Sequence, residues 1–227
     1  MIRTVTLAAA AASSLTAAAA QDERNAAIDL SVGTTGLSAH AQVGLGSRLA
    51  VRLGYAWLDY SADDETYDDV TYDGELEMSG FGGYADVHPF ANAFTLSGGV
   101  MVGDKSVSLV ATPNEAVEIG GQTFAPDQLG SLTGEGDFGN TAFFAGLGYD
   151  PSLYKDGRVS LIVRAGVMFA GEPDVALDAS VLGDPALPAE ARTELRAALD
   201  REEAALEDDI DQYGYWPVLT VGLGYSF

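Results

Sequence analysis

His40, Arg52, Asp86 and Arg164 are ionisable residues set singly among small and apolar neighbours, as in Val51-Arg52-Leu53 and Val163-Arg164-Ala165. Each falls on the minority face of a two-residue repeat. At similar depths along neighbouring strands, a guanidinium and a carboxylate can pair through two parallel hydrogen bonds. Arg52 and Asp86 are the pair this spacing favours, with Asp29, Gln42 and Lys105 available to extend the set. Enclosed charges must find partners, so the expected arrangement is a satisfied network filling a polar interior. A gate that exchanges ion-pair partners is the sharper alternative.

A second constellation is the acidic stretch from Asp59 to Glu77. Asp63, Asp64, Glu65, Asp68 and Asp69 form its densest part, a candidate weak site for Ca²⁺ or Mg²⁺, since hard cations take oxygen ligands. The spacing does not fit the EF-hand loop, and the expectation is a solvated acidic loop, with no metal site assigned. Divalent ions bridging such acids to lipopolysaccharide phosphates are a further possibility. Catalysis has little support, because the two histidines, His40 and His88, fall low on their strands and no nucleophilic Ser has a base in reach. No phosphate-cradling glycine motif is followed by Lys, so no cofactor is expected.

The elements that must position these residues read as strands. From the last residue backward, Phe227, Tyr225, Leu223, Val221, Leu219, Pro217, Tyr215 and Tyr213 share one face, and Ser226, Gly224, Gly222 and Thr220 share the other. The pattern recurs in Arg158 to Ala170 and Leu49 to Tyr60. Aromatic residues gather at strand ends, with Trp57, Tyr213 and Tyr215 toward one rim and Phe94, Tyr149, Tyr225 and Phe227 toward the other, as in membrane barrels. Pro217 cannot donate to a ladder, which predicts a bulge or the end of regular pairing there.

Short links near Gly46-Ser47, Phe90 to Ala93 and Pro151 to Gly157 alternate with long polar links near Ser61 to Gly74, Asp104 to Gly139 and Glu172 to Gln212. Ile28 to Val32 and Leu37 to Leu45, joined at Gly33 to Gly36, make two strands and bring the count to eight. One long bent strand there would leave seven. The last long link holds a helical segment after Pro188, with Leu195, Leu199, Leu206 and Ile210 on one stripe. That stripe is expected against the barrel mouth or a neighbouring loop, with Glu202, Glu203, Glu207 and Asp208 facing water; a partner docking face is the alternative.

Arg3, the apolar run Val5 to Ala20 and the small residues Ala18 to Ala20 read as a cleaved signal peptide over residues 1–20, leaving 21–227 as one domain. Processing leaves 10 basic against 34 acidic side chains, a formal charge of −24, which disfavours nucleic acid as a partner. There is no cysteine. Beyond residue 20 no apolar run approaches the roughly 20 residues of a membrane helix, so membrane residence requires a closed barrel.

The terminal "VGLGYSF" and the alternating strands resemble small outer-membrane barrels of the OmpA/OmpX or OmpW type. Segments such as "YDGELEMSGFGGYADVHPF" and "VATPNEAVEIGGQTF" resemble uncharacterised proteobacterial barrels. The resemblance implies an all-β fold, an eight-stranded antiparallel transmembrane β-barrel with one helical extracellular loop segment, in the Gram-negative outer membrane. It also implies that Tyr225 and Phe227 are the recognition signal for the barrel-assembly machinery. The expected function is non-enzymatic, in envelope integrity or surface interaction, for a monomer in contact with outer-membrane lipid and lipopolysaccharide. A narrow porin-like channel and a soluble lipocalin-like ligand-binding barrel are the alternatives. The last requires the apolar face to point inward and Arg52, Asp86 and Arg164 to face water.

Overall fold

The computed structural model describes residues 25–67, 70–154, 157–171, 173–210 and 214–227, and side chains in these segments other than those of 63–67, 70–72, 209 and 210. The segment 1–20, Asp68, Asp69 and Tyr213 lie outside the described residues, as do the side chains of Asp63, Asp64, Glu65 and Ile210.

Strands β1 (Ala26–Gly33), β2 (Gly36–Gly44), β3 (Leu49–Tyr67), β4 (Val70–Val87), β5 (Phe94–Val102) and β6 (Lys105–Pro113) open the fold. There follow a small hairpin, β7 (Val117–Ile119) and β8 (Gln122–Phe124), and a short helix α1 (Pro126–Leu129). Next come β9 (Leu132–Asp137), β10 (Thr141–Tyr149), β11 (Val159–Phe169) and β12 (Asp174–Ala179), then a 3-10 turn at Ser180–Gly183, helix α2 (Ala189–Ile210) and β13 (Tyr215–Ser226).

Among the described residues, β1, β2, β3, β4, β5, β10, β11 and β13 close into one antiparallel barrel, with β1 paired to β13 and β4 to β5. The split of Ile28 to Leu45 into two strands holds: the hairpin turns at Thr34-Thr35, and Gly36 adopts φ +75°, which a Cβ would strain. The start of β1, the end of β13 and the three short turns lie at one end, called the lower end.

Burial follows the two-residue period. Leu30, Leu53, Phe81, Leu161 and Leu223 are all more than half exposed, whereas Asp29, Arg52, Asp86, Arg164 and Thr220 are buried. The apolar face therefore points outward and the charges inward, the reverse of what a lipocalin-like barrel requires.

Pro217 does not interrupt the sheet. The β11–β13 register runs unbroken through Val167↔Pro217. The Pro217 carbonyl faces the β1 side, where it accepts from Thr34 Oγ1 at 2.8 Å. The ring nitrogen faces the same way, past the end of β1, so no ladder bond is lost.

The long links are not loops over most of their length. The β3–β4 hairpin continues to Tyr67↔Val70 with one register shift between Ala62 and Glu65. β5 and β6 form one strand in a single register against β4, from Val87↔Leu96 to Val70↔Pro113, broken only at Gly103-Asp104. β9 continues β10 in the same way, and β12 adds beyond β9. Five strands thus rise past the upper rim as a wall, β3-β4-β6-β9-β12. The hairpin β7–β8, α1, the 3-10 turn and α2 fold against it around Ile119, Phe124, Leu129, Leu182, Leu195 and Leu199, a small core above the barrel.

Candidate functional site

The lumen is built in three storeys. In the middle lie two ion-pair clusters. Arg52 Nε and Nη2 donate to Asp86 Oδ2 and Oδ1 at 2.8 and 3.2 Å, and Ser97 Oγ donates to Asp86 Oδ1 at 2.5 Å. Arg52 also lies 4.1 Å from the centre of the Tyr84 ring, a cation–π contact. Across the lumen, Arg164 donates to both oxygens of Asp29 at 3.1 and 3.0 Å and to Asp150 Oδ2 at 2.9 Å. His40 Nδ1 lies 3.0 Å from Asp29 Oδ1. Its ring meets Tyr84 edge-on at 6.1 Å, so an aromatic ring joins the two clusters.

Glycine makes room for these rings. A Cβ on Gly82 or Gly99 would strike Tyr84, and one on Gly146 or Gly166 would strike Phe144. Glycines that look evenly scattered along the strands therefore mark where large rings lie flat against the wall.

The upper storey is apolar, formed by Ala56, Met78, Met101, Ala142 and Met168 with Trp216 and Val218 against them. Unbranched methionines fill an irregular space well. The lower storey is closed by the β10–β11 turn. Pro151 and Ser152 are fully buried, Ser226 Oγ donates to the Ser152 carbonyl at 2.6 Å, and Tyr154 Oη donates to the Ser47 carbonyl at 3.0 Å. Between the storeys remains a cavity of about 40 Å³ lined by His40, Arg52, Tyr84, Arg164 and Thr220 among others, room for a few waters.

Of the residues singled out in the sequence, His40, Arg52, Asp86 and Arg164 all face this lumen, but in two clusters. Asp29 is the hub of one of them. Lys105 is elsewhere: it sits at the upper rim with Nζ donating to the Gly103 carbonyl at 2.7 Å. Gln42 lies lower, with Nε2 finding no partner among the described residues. Asp150 and Ser97 escaped the sequence reading. Asp150 lies at the end of its strand, where a turn role is the default for Asp, and one Ser among many carries no signal. His88 lies in the β4–β5 turn with Nδ1 2.8 Å from the Asn92 carbonyl and its ring 4.6 Å from that of Tyr154.

Above the rim, the wall keeps the parity of the barrel. Its inner face carries Met78, Val107, Leu109 and Leu177. Its outer face carries one row of directly paired residues across five strands, Asp59↔Glu77↔Ser106↔Asp137↔Asp174, all four acids exposed. Glu75, Glu135 and Asp178 lie on the same face. Among the described residues there is no cluster with metal-binding geometry. The side chains of Asp63, Asp64 and Glu65 lie outside the described residues, as do Asp68 and Asp69 altogether.

The carboxylates of α2 do not simply face water. Glu203 accepts from Leu177 N at 2.7 Å and Glu207 from Val175 N at 3.1 Å. The i, i+4 spacing on the helix thus matches the i, i+2 spacing of amides on the free edge of β12, and edge donors that would otherwise be open are satisfied. Glu202 accepts from Gly120 N at 2.7 Å, and Arg201 donates to the Gly120 carbonyl. Leu195 and Leu199 are buried against the upper core, so that part of the stripe already has its cover.

A closed eight-stranded antiparallel barrel, apolar outside and ionic inside, defines the chain as a small outer-membrane β-barrel by fold. Among solved structures, Acinetobacter baumannii CarO2 matches with TM-score 0.63 at 23% identity, covering 91% of this chain and 100% of that one. Acinetobacter baumannii CarO matches with TM-score 0.60 at 21% identity, covering 91% and 98%. At these identities the likeness is one of fold. No protein-family model and no curated protein matches the sequence.

Proposed function

We propose that the chain is a non-enzymatic resident of the Gram-negative outer membrane, exported by a signal peptide over residues 1–20 and acting in envelope integrity or surface interaction. The observation that carries this reading is the lumen: an ionic layer closed above by methionines and Trp216 and below by the β10–β11 turn. A barrel so filled is braced rather than bored. Its chemistry lies on the wall above the upper rim, which in this reading is extracellular.

The outward acidic row continues the lipid-facing side of the barrel, at the level where the headgroups of an outer leaflet would stand. Divalent ions shared between these carboxylates and lipopolysaccharide phosphates fit that placement. Tyr225 and Phe227, whose rings meet at 5.4 Å on the exterior of β13, are the proposed signal to the assembly machinery, and the mature form is proposed to be a monomer.

Two measurements test the reading. Cell fractionation should recover the protein with outer membranes, migrating faster on unheated than on heated gels. In planar bilayers it should give no discrete current steps. Regular conductance steps from heat-modifiable protein would favour the narrow channel instead, and recovery in the soluble periplasmic extract would overturn the membrane assignment.

A further inference from the structure

The two edges of the wall differ. On the β12 side, Glu203 and Glu207 accept from Leu177 N and Val175 N, so those edge donors are occupied. On the β3 side the barrel partner runs out. β2 pairs with β3 only as far as Leu37↔Trp57, just before Gly36 and the hairpin turn, while β3 continues against β4 through Asp59↔Glu77 and Ser61↔Glu75. Among the described residues no strand pairs with this edge of β3 above Trp57.

The direction of its backbone groups follows from the ladders. Leu45 N donates to Leu49 O on the β2 side, and His88 N donates to Arg48 O on the β4 side. Both registers then run without a shift, to Trp57 against β2 and to Ala62 against β4. Alternate residues of β3, counted from Leu49, therefore turn both amide and carbonyl toward the β2 side. Asp59 and Ser61 belong to that set, so their backbone groups point out of the open edge. Both residues are exposed. Free donors and acceptors along an edge are a template for another strand.

The neighbouring side chains define the strand that fits. On the outer face stand Asp59, Glu75 and Glu77, all exposed, and no Lys or Arg occurs between Arg52 and Lys105. On the inner face Leu58 packs on the methionine layer, and Tyr60, 61% exposed, has Leu76 opposite. A second copy docked edge to edge would bring like acids together, which destabilises. An extended segment with basic residues at alternate positions and apolar ones between them meets acids on one face and Leu58 and Tyr60 on the other. We infer that the open edge of β3 is a docking site for such a basic, extended polypeptide, which adds to the wall as a further strand. This names a class of partner for the surface-interaction reading and rests on that reading.

The test uses the full barrel in nanodiscs of zwitterionic lipid, its closure checked first by the heat-dependent gel shift, so that a failure to bind counts against the docking site and not against the membrane assignment. The probes are the peptide KVKVKVK, its acidic counterpart EVEVEVE, and KVKVKVK methylated on its interior backbone nitrogens. Against empty nanodiscs, KVKVKVK should bind one saturable site and slow amide exchange at Asp59 and Ser61, leaving Val175 and Leu177 unchanged. The other two peptides should bind at least about tenfold more weakly, because one lacks the charge and the other the donors. Ser61→Pro should weaken KVKVKVK at least about tenfold, since it removes one edge N–H at a position where an edge strand tolerates proline. Asp59→Lys should weaken it as well, while the new pair with Glu77 keeps the β3–β4 ladder supported. If one variant fails to fold, the other decides. Absence of saturable binding over empty discs, equal binding of either control peptide, protection confined to other amides, or unchanged affinity in a folded variant would each overturn the inference. So would self-association of the wild type that protects Asp59 and Ser61 without peptide, which would give the edge to a second copy.

Discussion

Arg52 and Asp86 face each other across the β3–β4 ladder, two residues out of direct register, and are joined by two hydrogen bonds of 2.8 and 3.2 Å with both side chains almost wholly enclosed. An ion pair so placed is a matched set: the pair is tolerable, and either partner alone is not. Asp86→Ala should therefore lower the unfolding free energy of the barrel by about 3–5 kcal/mol, because it strands the Arg52 charge. Removing both partners with apolar replacements should cost much less than that single change. Urea unfolding in detergent, followed by loss of the heat-dependent gel shift, reads both; equal losses in the single and double variants would refute the coupling.

The outer wall carries the opposite situation, like charges set face to face. Asp137 and Asp174 are direct partners across β9–β12, and Asp59 and Glu77 across β3–β4. Cross-strand pairs of like charge destabilise, so Asp137→Asn or Asp174→Asn should stabilise the wall by about 0.2–1 kcal/mol at low salt. The gain should shrink toward zero in 1 M salt, where screening acts within about 3 Å. Amide exchange in β12 measures it without unfolding the barrel.

Helix α2 guards the β12 edge through Glu203 and Glu207, and that protection is removable. Glu203→Ala with Glu207→Ala should speed amide exchange at Leu177 and Val175 and promote self-association through the exposed edge. Light scattering and exchange together check this. Unchanged protection at both amides would mean that helix burial alone, through Leu195 and Leu199, keeps the edge covered.

At the lower end, burial and the neighbouring Asp150 carboxylate push the Tyr154 phenol above its usual range, near 10. The folded state thus favours the neutral phenol, whose hydroxyl donates to the Ser47 carbonyl. This contribution to stability is complete below the unfolded pKa and is lost as pH rises through the raised folded value. Tyr154→Phe should flatten the stability profile above about pH 10 and leave it otherwise parallel to wild type. Thermal unfolding across that range reads the difference, and a wild-type profile already flat there would contradict the role given to Tyr154.

Strand phase was legible because lipid demands it. Leu223 and Thr220 differ in exposure for the same reason they differ in type, and a one-residue slip would put Arg164 in hydrocarbon. The extent of the strands was less legible. Asp73, Glu75 and Glu77 read as loop, since acidic residues are poor strand formers, yet they lie on a wall strand whose partners come from β3 and β6. Long-range pairing overrode local propensity. The same holds for Glu203 and Glu207: their spacing marks a solvated helix face, and only the nearby edge of β12, distant in sequence, gives them partners. Asp150 shows the limit inside the lumen, since its reach to Arg164 depends on how the β10–β11 turn folds back into the barrel.

An ionic lumen requires the apolar residues to face outward, and the cysteine-free sequence allows that phase to be read directly. Single cysteines at Leu219, Val221, Leu223, Thr220 and Ser226, labelled with an environment-sensitive fluorophore in nanodiscs containing spin-labelled lipid, should be quenched at the three apolar positions and protected at Thr220 and Ser226. Uniform quenching along β13, or quenching confined to Thr220 and Ser226, would contradict the orientation on which that lumen depends.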